Sequence, residues 1–253
     1  MTAIDRVVLW DIDGTLVHTA GVGAQAFITA IETLWGVSAA GHGVTLAGKT
    51  DLQIAHEILT VLNLHDVAEV ADHLAAAGAA GSGTALADGS ARLARLIAET
   101  ERLVAAGQDR IRAGGRIMPG VPELLAALHS DPTTVQTLLT GNTAANAASK
   151  LGAFGLADQL NLDLGAYGSD NADRNVLVDV ALARIEAQFG PVDRRHVWVI
   201  GDTPLDAACA AAGGVRCLLV ATGFAPRADL DTCGADHVVE DLTDTAGILT
   251  LLT

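Results

Sequence analysis

Two aspartates stand two residues apart at the end of an apolar run, in Val7-Val8-Leu9-Trp10-Asp11-Ile12-Asp13-Gly14-Thr15-Leu16. A carboxylate can attack phosphorus to give an aspartyl-phosphate, and a second carboxyl beside it can protonate the departing oxygen and later activate water. If the apolar run is a strand, alternate side chains point the same way, so Asp11 and Asp13 share a face. Gly14 then permits a sharp turn. The same residues would also serve a bare Asp-Gly turn with Asp13 capping it.

Two later turns carry complementary groups. Gly201-Asp202-Thr203-Pro204-Leu205-Asp206 follows the apolar run 196–201, and a carboxylate there, opposite Asp11, would complete a hard-oxygen site for Mg²⁺. Asp202 is the better candidate ligand, with Asp206 a second ligand, a supporting partner or plain helix surface. Asp202 or Thr203 ahead of Pro204 also suits a helix N-cap. In Thr140-Gly141-Asn142 a hydroxyl and successive loop amides could hold a phosphoryl oxygen. Lys150, in the helix that follows, could reach back as a point charge, and Arg174 is the rival cation.

These turns need a scaffold that brings them together. Apolar runs at 6–12, 134–140, 196–201 and 216–221 are mostly followed by helix-like patterns, and that alternation argues for a parallel sheet covered by helices. Sites in such sheets gather at the C-terminal ends of strands. Between the first turn and the second strand, helical spacing at 22–35, 50–63, 66–77 and 88–113 predicts an inserted helical domain. The uncharged stretch 75–83 reads as a flexible turn within it, and Met118-Pro119-Gly120-Val121-Pro122 returns the chain to the sheet.

Composition narrows the partners. A formal net charge of −15 disfavours nucleic acid and anionic membrane surfaces, while leaving room for a local phosphate site built from amides, lysine and a cation. Cys209, Cys217 and Cys233 show no C-x-x-C spacing, which indicates neither a disulfide framework nor a zinc site. The N-terminal residues lack a basic segment followed by an apolar one, and no long apolar stretch follows, so the expectation is a cytoplasmic protein.

In order and spacing, the three turns resemble the haloacid dehalogenase-like hydrolase superfamily. Asp11-Ile-Asp13-Gly14-Thr15-Leu16 looks like its motif I, Thr140-Gly141-Asn142 like motif II and Gly201-Asp202-Thr203-Pro204-Leu205-Asp206 like motif IV. The resemblance implies an α/β fold, a Rossmann-like parallel sheet with helices on both faces. Residues 1–16 and 116–253 would form the catalytic core. Residues 17–115 would be an inserted α-helical cap, as in the phosphoglycolate phosphatase and β-phosphoglucomutase branch. It further implies Mg²⁺-dependent hydrolysis of a small phosphorylated metabolite, a phosphomonoester, by a monomer or homodimer.

Carried over by resemblance, Asp11 is the nucleophile and a metal ligand, Asp13 the general acid/base and a ligand through its carbonyl, and Asp202 the remaining carboxylate ligand. Thr140 binds the phosphoryl group, with Gly141 and Asn142 beside it. The departure is motif III, where many relatives carry a Lys-Pro pair and this chain reads Gly168-Ser169-Asp170-Asn171-Ala172-Asp173-Arg174. The resemblance then favours Lys150 as the active-site cation, with Arg174 as a substitute. In the expected cap, Leu46-Ala47-Gly48-Lys49-Thr50-Asp51 resembles the Gly-x-Thr-Asp turn that faces the site, which would put Lys49 on an anionic part of the substrate. Thr50 or Asp51 would equally cap the helix that follows. Asp13 and Asp202 argue against dehalogenation. A phosphomutase shares nearly every core residue and is the alternative reading, with a non-catalytic binding protein on the same fold behind it.

Overall fold

The computed structural model describes residues 4–64 and 91–253. The predicted helix at 66–77, the stretch 75–83 and the start of the helix placed at 88–113 lie outside the described residues. Six parallel strands form the sheet, in the order β5-β4-β1-β6-β7-β8. They are β1 (Arg6–Trp10), β4 (Thr134–Thr140), β5 (Ala166–Tyr167), β6 (Val197–Gly201), β7 (Arg216–Val220) and β8 (His237–Val239). Trp10 pairs with Leu138 on one side and with Ile200 on the other. That register brings the ends of β1, β4 and β6 out at one edge, so the three polar turns meet.

Both faces of the sheet are apolar, as expected of strands buried on two sides. Val8, Trp10, Leu138, Trp198 and Ile200 face one core, where α5 (Val121–His129), α6 (Ala144–Gly152) and α10 (Thr245–Leu251) pack. Val7, Leu9, Leu139, Val197 and Val199 face the other, covered by α7 (Leu177–Phe189), α8 (Pro204–Ala212) and α9 (Arg227–Leu230). The chain leaves the first turn through β2 (Val17–His18) and returns through β3 (Arg116–Ile117), which pair antiparallel. Between them lie α1 (Val22–Trp35), α2 (Asp51–Val61), α3 (Ala91–Ala106) and α4 (Gln108–Gly114). The first three enclose a separate apolar cluster that includes Phe27, Ile31, Ile54, Ile58 and Leu96.

Helix starts follow local chemistry. Thr50 caps α2 by accepting from the Gln53 N–H at 3.1 Å, and Thr143 caps α6 by accepting from the Asn146 N–H at 3.2 Å. Thr203 and Asp206 form a capping box at α8, with Pro204 in the first turn. Three expectations change. The helix placed at 88–113 is broken at Gly107, where an added Cβ would press on the Val22 side chain and the Leu103 carbonyl. The first strand stops at Trp10 rather than running to Ile12, because the Ile12 carbonyl turns back to accept from the Leu16 and Val17 N–H groups. The short edge strands β5 and β8 are additions the apolar pattern did not reveal.

Candidate active site

A cavity of about 310 Å³ opens at the C-terminal edge of the sheet and is closed over by α1, α2 and the loop before α2. Asp11, Asp13, Gly141, Asn142, Lys150 and Asp202 all line it, as do Lys49 and Arg174. Thr140 is fully buried behind this wall and is not among the lining residues. Its Oγ1 accepts from the Asn142 side-chain amide at 2.8 Å, so Thr140 orients Asn142.

Asp11 and Asp13 face the same cavity but take different partners. Asp13 lies 42% exposed in the cavity. It accepts from Lys150 Nζ at 2.5 Å, from Asn142 Nδ2 at 2.9 Å and from Thr19 Oγ1 at 3.1 Å. Lys150 also donates to Asn142 Oδ1 at 2.6 Å. Its seat in the site would by itself raise the Asp13 carboxyl, but the Lys150 ammonium and these donors together hold it below the usual range.

Asp11 is buried, and its closest cation is Arg174, whose Nη2 lies 3.5 Å from Oδ1. Arg174 donates to Asp206 as well, in a tight buried contact. The two cations left open by the sequence are therefore divided, with Arg174 beside Asp11 and Lys150 beside Asp13. Burial pushes the Asp11 carboxyl up to about 6, Arg174 pulling it down while Asp206 and Asp13 add to the rise. Asp202 is pushed well above the usual range, first by burial and then by Asp206 and Asp11.

Carboxylate oxygens of Asp11, Asp202 and Asp206 lie within 4.8 Å of one another. One guanidinium faces three carboxylates here, and burial first, then the neighbouring carboxylates, raises Asp11 and Asp202. Hard oxygen donors gathered so closely could hold a divalent cation such as Mg²⁺. Asp206 is committed to the frame, accepting from the Thr203 N–H at 3.0 Å and Oγ1 at 2.7 Å, and from Arg174. Asp202 is steadied by the Thr15 hydroxyl at 3.3 Å.

Glycines let the backbone close around Asp202. Gly14 has φ +91°, and a Cβ at Gly14 or at Gly223 would overlap the Asp202 carboxylate. Thr222, next to Gly223, donates to the Gly14 carbonyl at 2.6 Å. The Thr222-Gly223-Phe224 loop was missed by the sequence reading. Its signal was available, since it is a fourth Gly-containing turn following the apolar run 216–221.

The loop before α2 is fastened to the core. Asp51 accepts from the Thr143 N–H at 2.9 Å and from Asn146 Nδ2 at 2.8 Å, while its own N–H donates to the Gly141 carbonyl at 2.7 Å. Thr50 caps α2 and donates to the Ala172 carbonyl at 2.8 Å, so the capping reading of this turn holds. Lys49 lines the cavity with its ammonium taken by Glu57, 2.5 Å away.

The comparisons agree with this architecture. A family model described as HAD-hydrolase-like matches residues 174–245, from Arg174 through the Asp202 turn and β8. No curated protein matches the sequence. Among solved structures, a predicted phosphoglycolate phosphatase from Haemophilus somnus superposes with a TM-score of 0.67 at 17% identity, over 98% of this chain and 99% of that one. A hydrolase from Pseudomonas syringae gives 0.63 at 18% identity, over 97% and 98%. CbbY from Rhodobacter sphaeroides, solved in complex with phosphate, gives 0.61 at 18% identity, over 94% and 95%. At such identities the likeness is one of fold. The chain has the fold of the haloacid dehalogenase-like hydrolases, as its three motifs suggested. No helix among the described residues is long and apolar enough to cross a membrane.

Proposed function

We propose that the chain is a Mg²⁺-dependent phosphatase that hydrolyses a small phosphomonoester through an aspartyl-phosphate on Asp11. The observation that carries this reading is the pair of carboxyls on one cavity, Asp11 among the clustered carboxylates and Asp13 held by Lys150 and Asn142. Segments 1–16 and 116–253 then act as the catalytic core and 17–115 as the cap. When bound by Asp11 and Asp202, Mg²⁺ would neutralise charge on the nucleophile and the transferring phosphoryl group.

In the first step an Asp11 carboxylate oxygen attacks phosphorus and the bond to the ester oxygen breaks. Asp13, ionised in the resting site, takes the proton that the ester brings as its monoanion and passes it to the leaving oxygen. In the second step Asp13 takes a proton from water, whose oxygen attacks phosphorus, and then gives that proton to the departing inorganic phosphate, restoring Asp11 and Asp13 as carboxylates. Arg174 and Lys150 hold the two carboxyls in place, and the Gly141 and Asn142 turn offers donors to the phosphoryl oxygens.

The test is product analysis with a panel of phosphomonoesters, with Mg²⁺ and with chelator. Inorganic phosphate formed only with the metal is the expected result. An isomerised sugar phosphate without net phosphate release would make the protein a mutase, and no turnover of any ester would exclude the reading.

A further inference from the structure

Away from the phosphoryl end, the cavity changes character. The wall supplied by the insert includes Ala24 and Phe27 of α1, Leu46 and Ala47 of the following loop, and Ile54 of α2, beside the polar His18, Thr19, Lys49 and Asp51. Phe224 also lines the cavity and is 81% exposed, with its ring centroid 6.0 Å from that of His18. A phenyl ring left in water at the mouth of an apolar cavity offers contact area that only a bound group would cover.

Charge points the same way. Among the described residues lining the cavity, each Lys and Arg already has a carboxylate partner. Lys49 is paired with Glu57, which Gln53 Nε2 holds at 2.9 Å, Lys150 with Asp13, and Arg174 with Asp206 and Asp11. A carboxylate on the substrate's leaving group would therefore meet acidic neighbours with no uncommitted lysine or arginine among those residues. Several hydroxyls would lie against Phe27 and Ile54, where water is lost without compensation.

Building on the phosphatase reading, we propose that this wall selects phosphomonoesters whose leaving alcohol is compact, uncharged and apolar, over those carrying a carboxylate or several hydroxyls. The leaving group sits between Phe224 and the face made by Phe27 and Ile54. The ion pair between Lys49 and Glu57 withholds from an acidic substrate the one lysine that the insert contributes to the cavity among the described residues.

The test compares kcat/KM with Mg²⁺ for methyl, ethyl, propyl and butyl phosphate against 2-phosphoglycolate and glycerol phosphate. Each added methylene should raise kcat/KM about 4-fold, the worth of burying one methylene, and Phe224→Ala should flatten that rise. Glu57→Gln should release Lys49 and improve 2-phosphoglycolate roughly 10-fold relative to butyl phosphate, the scale of a modest specificity contact. A flat alkyl series, or 2-phosphoglycolate or glycerol phosphate outperforming butyl phosphate, would overturn the proposal. Calorimetry with propylphosphonate and phosphonoacetate separates it from the phosphatase reading, because it reads binding without hydrolysis. Tighter propylphosphonate binding supports the apolar wall even if no ester turns over, and phosphonoacetate binding as tightly or more tightly refutes it.

Discussion

Replacing Asp11 with asparagine removes one of three carboxylates whose oxygens lie within 4.8 Å of one another. Burial raises that carboxyl from an ordinary value of 3.8 to about 6. A carboxyl raised on folding contributes stability that is present below its unfolded value and lost as the pH rises through its folded value. At pH 7.5 the metal-free protein therefore bears the whole penalty, about 3 kcal/mol for a rise of this size. Asparagine is nearly the same shape and carries none of it. The variant should unfold at a higher temperature than the wild type in chelator at pH 7.5, by roughly 6–12 °C for a chain of this length. The gap should shrink as the pH falls toward 5, where wild-type Asp11 is protonated. It should also shrink when Mg²⁺ is added, because the ion offsets the same cost of a buried charge in the wild type. Thermal melts at pH 5 and pH 7.5, each with and without Mg²⁺, read all of this. A variant no more stable than the wild type at pH 7.5, or a gap that widens toward pH 5, would refute the charge-cluster reasoning.

Arg174→Met should be destabilising by about 3–5 kcal/mol in denaturant titrations, because it leaves Asp206 and Asp11 buried without their cation. Asp206→Asn in the same chain should recover part of the loss. Lys150→Met removes the charge that holds Asp13 down. Asp13 serves ionised, so the acidic limb of the kcat/KM profile should move to higher pH, and an unmoved limb would detach Lys150 from that role. Gly223→Ala places a methyl group against the Asp202 carboxylate, and should weaken Mg²⁺ binding by roughly 10–100-fold in calorimetry, the usual cost of disturbing a ligand's support.

Much of this site was legible in the chain because it sits where strands end. An apolar run followed by a polar Gly-containing turn marks the C-terminal edge of a parallel strand. The register of Trp10 with Leu138 and Ile200 then brings Asp11, Asn142 and Asp202 onto one cavity. Helix α1 was readable to the residue, since its apolar spacing ends at Gly36 with φ +66°. The partnerships were not readable. Lys150 follows the motif II turn and Arg174 follows β5 after another turn, and only the fold decides that the first reaches Asp13 and the second Asp11. Nor was the burial of Thr140 readable, with its Oγ1 accepting from Asn142 two residues on. Glu57 takes Lys49 from two turns along α2, a contact visible only once the helix start at Asp51 is fixed. Strands β5 and β8 hold two and three residues, too few for any alternation to show.

The account rests on Asp11 as the group that takes the phosphoryl from the ester. Phosphate release by the wild type and by Asp11→Asn, at saturating Mg²⁺ on one butyl phosphate preparation and with folding checked by circular dichroism, tests that claim most directly. The wild type should release phosphate, and the folded variant should release none above the uncatalysed rate. Release by the folded variant at a rate comparable to the wild type would contradict the account.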